Sequence, residues 1–201
     1  MSPVRGTSLK PPFGPGALVL VVGPSGAGKD TLMSEAARLL TGDTDLLVAR
    51  RLVTRTDTTG EDHQPVDLAT FEAELAAGRY PLAWRAHGLA YALGAEVAEA
   101  LAQGRTVMAN GSRATLPEAR KRFSRLSVVH ITAPPEVRAV RLAARGRESE
   151  DDIRERLARA PDVPLDADLE IQNVGPIREG AQRLADFIRA ASYARAPEVL
   201  S

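Results

Sequence analysis

Residues 23–31 read Gly-Pro-Ser-Gly-Ala-Gly-Lys-Asp-Thr, and no other stretch concentrates so much chemistry in so few positions. Glycines at 23, 26 and 28 let the backbone curl until successive N–H groups face inward, where phosphate oxygens would lie. A helix starting from such a turn adds the positive end of its dipole. Lys29, one of three lysines (Lys10, Lys29, Lys121), sets a point charge on the outer phosphates. The competing reading, a tight strand-to-helix turn with an incidental lysine, needs spacing and context both to be accidental. Gly23, Pro24, Ser25, Gly26, Ala27, Gly28, Lys29, Asp30 and Thr31 are therefore expected to hold a nucleoside triphosphate, with ATP the expected donor. Lys29 is expected to act on its terminal phosphoryl group.

One residue departs from the usual pattern. A Ser or Thr normally follows the lysine and offers its hydroxyl to Mg²⁺, while an Asp at the end of a neighbouring strand supplies the charge. Here Asp30 follows Lys29, and the best candidate strand, 106–110, ends in neutral Asn110. The expectation is a charge swap in which Asp30 becomes the metal-side anion, partly through water because Mg²⁺ keeps several waters. Capping of the helix N-terminus is the other reading of Asp30, and the two are compatible.

Arginines cluster further on. Arg138, Arg141, Arg145 and Arg147 precede Glu148-Ser149-Glu150-Asp151, and Arg156 follows. Gly146 between Arg145 and Arg147 permits a hinge at a helix end. Phosphoryl transfer is mostly positioning and charge neutralisation. Arg145 and Arg147 are thus the expected catalytic partners of Lys29, carried on a lid over about 145–160. A solvated hairpin of internal Arg–Glu pairs is the bland alternative, and such pairs stabilise little.

The elements that must position these groups follow from periodicity. Residues 17–22 form a continuous apolar run, the mark of a strand buried on both faces. Helical spacing over 31–40, a strand over 46–54, and a short helix over 68–77 with Asp67 as N-cap come next. Residues 80–91 read as two short strands around His87-Gly88. A helix over 95–103 ends at Gly104. Then come a strand (106–110), a helix (116–124), a strand (127–132), helices (135–145 and 150–160), a strand (169–173) and a last helix (177–191) with Pro176 near its first turn. Alternating strands and helices predict an α/β phosphate-loop fold, a parallel sheet with helices on both faces. The piece over about 55–93 breaks the rhythm and is expected to be a small acceptor-binding insert. The Pro/Gly/Ser-rich residues 1–16 read as a disordered leader, 17–192 as one domain and 193–201 as a tail.

The whole chain sets bounds. Its 201 residues suit one domain, and a chain of this size buries about 70% of its unfolded surface without staples. Cysteine is absent, which removes disulfides, thiolate metal sites and cysteine nucleophiles together. Formal net charge is zero, so no global field attracts nucleic acid or an anionic membrane. No apolar run reaches transmembrane length and no secretory signal is visible, which points to the cytoplasm. The 26 basic residues are nearly all arginine; biased composition explains most of that excess. Oligomeric state is open, and a homodimer is compatible with the sequence. No guanine-reading Asn-Lys-x-Asp segment and no strand ending in paired acids is present, which argues against signalling GTPases and AAA-type or helicase motors.

In these residues the chain resembles the guanylate kinase superfamily: residues 23–29, Thr54-Arg55, Gly60-Glu61, Tyr91 and residues 145–150 carry the likeness. It departs where guanylate kinases show a second arginine and a tyrosine for GMP; here residues 56–64 read Thr-Asp-Thr-Thr-Gly-Glu-Asp-His-Gln. The departures resemble a narrower family, the ribose 1,5-bisphosphate phosphokinases of bacterial phosphonate breakdown. That likeness runs from about Ala17 to the last helix. It rests on the Asp after the lysine, Thr54-Arg55, Trp84 with His87-Gly88-Leu89, Asn110-Gly-Ser-Arg-Ala, Leu116-Pro117 and Arg145-Gly-Arg-Glu. Asp30 and the Asn110 strand end are both habitual there. The resemblance implies Mg²⁺-dependent phosphorylation, by ATP, of ribose 1,5-bisphosphate to 5-phosphoribosyl 1-diphosphate. Ala90 and Ala92 depart from the tyrosine and glycine expected around Tyr91.

A sugar bisphosphate needs fixed cationic forks. Arg55 and Arg113 each follow a strand's C-terminal end, where ligands gather in open parallel sheets, and Arg grips phosphate bidentately. Ser112 and Tyr91 are expected to add hydroxyl contacts. Trp84 reads as core packing ahead of ligand contact, and His87 as a turn residue; Asp62 and His63 carry no firm role. Two other functions stay open: a guanylate-type nucleoside monophosphate kinase, and a non-catalytic interaction module, which the intact Gly28-Lys29 opposes.

Overall fold

The run Ala-Leu-Val-Leu-Val-Val forms β1 (Ala17–Val22), with all six residues buried. A computed structural model describes residues 13–55, 63–86, 88–144 and 165–193. β1 is the middle of a five-stranded parallel sheet in the order β2 (Leu46–Ala49), β7 (Thr106–Asn110), β1, β8 (Leu126–Thr132), β9 (Leu169–Gln172). Its side chains serve two cores by the period of two. Leu18, Leu20 and Val22 pack with Val97, Ala100 and Leu101 of α3 (Ala95–Ala102) and Leu116 and Ala119 of α4 (Leu116–Arg122). Val19 and Val21 pack with Leu32, Met33 and Ala36 of α1 (Lys29–Leu39) and Ala181, Leu184, Ala185 and Ile188 of α6 (Ile177–Tyr193). The α6 positions fall at i, i+3, i+4 and i+7, one helical stripe. Fully burying each large side chain contributes roughly 1.5–3 kcal/mol, so the sheet's C-terminal edge is a rigid platform. α5 (Pro135–Ala144) follows β8.

The expected single strand over 46–54 is two strands. β2 ends at Ala49, and β3 (Arg51–Val53) belongs to a second sheet in the order β4 (His63–Pro65), β3, β6 (Leu89–Leu93), β5 (Leu82–Ala86). The stretch Leu-Leu-Val-Ala-Arg-Arg-Leu-Val contains no Gly or Pro to mark the break. β4 also escapes the sequence, because His-Gln-Pro carries no strand preference; it exists through parallel pairing of Arg51 with His63 and Val53 with Pro65. The Nη2 of Arg50 donates to the His63 carbonyl at 3.0 Å, pinning that edge. The second sheet thus starts at Arg51, ahead of the expected insert boundary.

This small sheet has two different faces. Leu52, Ala83, Ala90 and Ala92 meet Phe71 of α2 (Leu68–Ala76) and Tyr80, whose rings lie 5.1 Å apart. Burial raises the Tyr80 phenol above its usual range. Asp67 caps α2 as expected, accepting from the Thr70 N–H at 2.9 Å and its hydroxyl at 2.6 Å. The Thr70 hydroxyl bond, with the backbone bond behind it, holds the Asp67 carboxyl below its ordinary value. On the opposite face Leu82 and Leu93 join the core of the large sheet and Trp84 packs against it.

Phe13 to Gly16 were expected in the leader but pack on the domain. The Phe13 ring lies 5.4 Å from that of Phe123, and its carbonyl accepts from the Ser124 N–H at 2.9 Å. The second lid helix, residues 150–160, and the tail from 194 onward lie outside the described residues. Among those described, no helix is long and apolar enough to cross a membrane.

Candidate active site

α1 begins at Lys29, two positions before the expected Thr31, with Gly28 as its N-cap at φ 85°. That left-handed angle favours glycine, and packing excludes any side chain: a Cβ on Gly28 would sit 2.4 Å from Asn173 Nδ2. Asn173, at the end of β9, is there to donate to the Ala27 carbonyl at 2.8 Å. Arg141 of α5 donates to the same carbonyl at 3.4 Å and to the Asn173 carbonyl at 3.0 Å. In a trans peptide C=O and N–H point opposite ways. Anchoring the Ala27 carbonyl at the back therefore aims the Gly28 N–H to the other side, into the loop. Lys29 Nζ donates to the carbonyls of Gly23 at 3.0 Å and Pro24 at 3.2 Å, lying across the space the loop encloses.

Asp30 does not cap the helix: no side chain caps α1. Its carboxylate turns to the sheet instead. Asn110 Nδ2 donates to Asp30 Oδ1 at 2.5 Å, and Arg51 Nη2 stands 3.6 Å from the same oxygen. Asp30 Oδ2 accepts no hydrogen bond among the described residues. Asn110 is buried, and its Oδ1 also has no partner. Two unengaged oxygen acceptors thus lie beside the phosphate loop. A hard, oxygen-seeking cation that keeps part of its water fits this donor set. No group of three His, Cys, Asp or Glu side chains able to hold a metal occurs among the described residues. Such a cation would share its ligands with phosphate and water.

Gly111 after Asn110 has its own reason: a Cβ there would meet Leu20 Cδ1 at 2.7 Å. Ser112 then caps a short 3-10 turn (Arg113–Thr115), its Oγ accepting from the Ala114 N–H at 3.3 Å and its carbonyl from the Thr115 hydroxyl at 2.7 Å. The Ser112 hydroxyl therefore has a structural task in this turn. Arg113 opens that turn at the C-terminal end of β7, and Arg55 follows β3.

Tyr91 is stacked rather than free-standing. Its ring lies 5.5 Å from Trp84, at an interplanar angle of 8°, and the Arg51 guanidinium is 5.8 Å from its centroid. Ala90 and Ala92 face the other side of the sheet, against Phe71 and Tyr80, so their departure from the expected tyrosine and glycine does not touch the Tyr91 face. Arg51 is the residue the sequence reading missed. Its signal was the period of two, which puts it on the same face of β3 as buried Val53. Asn173 was missed as well, and no local pattern could have revealed it. Arg138 and Arg141, grouped with the lid from sequence, belong to the base of the phosphate loop: Arg141 braces it, and Arg138, 2% exposed, lies against Gly26. Arg145 and Arg147 lie outside the described residues.

A family model described as an AAA domain matches residues 19–162. It spans the phosphate loop, although β7 ends in Asn110 and not in paired acids. Among curated proteins, the ribose 1,5-bisphosphate phosphokinase PhnN of Methylobacterium radiotolerans is 51% identical over 88% of this chain and 99% of its own. The proteins of the same name from Rhizobium etli and Pseudofrankia inefficax are 49% and 45% identical, over 84% and 90% of this chain and 87% and 95% of theirs. Among solved structures, guanylate kinase from Anaplasma phagocytophilum superposes with a TM-score of 0.63 at 16% identity, covering 88% of this chain and 86% of that one. This last likeness establishes the guanylate kinase-like phosphate-loop fold. Identity of this extent to the PhnN proteins establishes the family: the chain belongs to the ribose 1,5-bisphosphate phosphokinases.

Proposed function

We propose that the chain transfers the γ-phosphoryl group of ATP to the 1-phosphate of ribose 1,5-bisphosphate, forming 5-phosphoribosyl 1-diphosphate and ADP. The observation that carries this reading is the Asp30–Asn110 contact at 2.5 Å beside an arginine-bearing acceptor sheet. The names of the relatives support the same acceptor. An oxygen of the 1-phosphate, already ionised near neutral pH, attacks Pγ. The bond to the bridging oxygen of ADP breaks and ADP leaves, so no general base is needed. The loop's N–H groups and Lys29 hold the β- and γ-phosphates, and the Asn173–Ala27 contact keeps the loop in shape. Arg55, Tyr91, Ser112 and Arg113 receive the acceptor, and Arg145 and Arg147 neutralise charge at the transfer point. Asp30 Oδ2 and Asn110 Oδ1 would hold Mg²⁺, in part through water, and when bound it would neutralise charge on the triphosphate. The setting is the cytoplasm, in phosphonate catabolism.

A guanylate-type kinase is the second reading, favoured by the fold neighbour. Purified protein assayed for ADP release with ATP and Mg²⁺ separates the readings. Release with ribose 1,5-bisphosphate and none with GMP is expected. Release with GMP alone sinks the proposal, and release with neither favours a binding module.

A further inference from the structure

The attacking phosphate must approach a centre already crowded with negative charge: the triphosphate, held at Lys29, and the neighbouring Asp30 carboxylate. Phosphate meeting phosphate is repelled by several kcal/mol at close range, even with an effective dielectric constant of about 20. A cation has to stand between donor and acceptor. Among the described residues Arg51 is the arginine that reaches Asp30. It is the first residue of β3, on the acceptor sheet, yet its guanidinium reaches Asp30 on the donor loop.

Three features describe how it is held. The contact to Asp30 is a loose one at 3.6 Å, longer than a hydrogen bond. The side chain is largely buried, at 12% exposure. Its guanidinium lies against the Tyr91 ring, which in turn stacks on Trp84. Register explains the row. Tyr91 pairs with Val53 on one side and with Trp84 on the other, and Arg51 is two residues before Val53, on the same face. The aromatic platform fixes the stem and plane of the arginine, and its contact with Asp30 is longer than a hydrogen bond.

We propose that Arg51 is an acceptor-binding residue that exchanges partners. With the nucleotide site empty it neutralises Asp30. When Asp30 serves the metal–triphosphate, Arg51 turns its fork to the attacking phosphate. Arg suits this task because its planar fork binds carboxylate and phosphate alike. The exchange makes donor and acceptor binding mutually favourable, since each relieves Arg51 of a competing partner, and the effect is reciprocal. This inference rests on the reading of a phosphate acceptor given above.

The test is Arg51→Gln, with Arg51→Lys as a companion that keeps the charge but not the fork, and both are checked for unchanged thermal unfolding. In turnover with ribose 1,5-bisphosphate, Arg51→Gln should raise the acceptor KM roughly 10- to 100-fold, the loss of one charge-assisted hydrogen-bonded contact. Arg51→Lys should fall between. Separately, the Mg²⁺ complex of a non-hydrolysable ATP analogue is titrated by calorimetry without acceptor. There Arg51→Gln should bind the complex as tightly as the wild type or a few-fold tighter, because Asp30 has lost its competing cation. Weaker binding of the Mg²⁺ analogue with an unchanged acceptor KM overturns the proposal and makes Arg51 a positioning residue for Asp30. If the wild type fails to turn over ribose 1,5-bisphosphate at all, the functional reading has failed. The calorimetric sign then still decides the exchange: tighter binding supports it, weaker binding overturns it.

Discussion

At Asp30 a carboxylate occupies the place of a hydroxyl, and the amide of Asn110 meets it where a second carboxylate would otherwise stand. The two residues make sense only as a pair. Restoring an acid at 110 while Asp30 remains sets two carboxylates in contact, and like charges so close cannot both ionise. Asn110→Asp should therefore lower kcat/KM by roughly tenfold or more, a loss of at least about 1.4 kcal/mol in the transition state. Asp30→Ser alone should also lose Mg²⁺-dependent turnover. The double variant Asp30→Ser/Asn110→Asp, which puts the hydroxyl and acid back in their usual places, should recover part of the activity. Steady-state kinetics across a Mg²⁺ series reads all three. Asn110→Asp indistinguishable from wild type would contradict the pairing.

At the scale of elements, the site is made by ends. β1 leads into the loop, Asn110 ends β7 with Arg113 in the turn after it, Asn173 follows β9, and Arg51 opens β3; their parts in the site are those proposed above. The Asn173 side chain, buried and bonded to the Ala27 carbonyl, keeps the loop's backbone oriented. Asn173→Ala leaves that carbonyl short of a partner. It should cost about 1–3 kcal/mol in unfolding free energy and raise the KM for ATP more than that for the acceptor, as chemical denaturation and kinetics would report. Much of this frame was legible in the sequence. The apolar run 17–22 and the glycine spacing place β1 and its loop, and Asp67 marks the start of α2. The division of 46–54 into β2 and β3 was not legible, since both halves favour strand and only pairing partners decide which sheet each joins. β4 was invisible for the same reason. Asn173 acts across a long sequence separation, through a contact that no local pattern encodes, whereas the loop's glycines and lysine lie within a few residues of one another.

Across the whole molecule the arginine excess acquires a use that composition alone does not suggest. Arg189 donates to the Leu39 carbonyl at the end of α1, Arg125 to that of Ala191 in α6, and Arg105 to that of Leu46 at the start of β2. Forked donors of this kind tie element ends together, and lysine would do so less well. The phosphate loop stands on the large parallel sheet, and Arg51 of the smaller sheet reaches its Asp30. That the acceptor is a sugar phosphate is tested most directly by the identity of the product. Phosphorus-31 NMR of a reaction containing ATP, Mg²⁺, ribose 1,5-bisphosphate and GMP should show a new diphosphate on the sugar's C1, formed in equimolar amount with ADP, and no GDP. GDP as the phosphorylated product, with the ribose bisphosphate signals unchanged, would contradict the account.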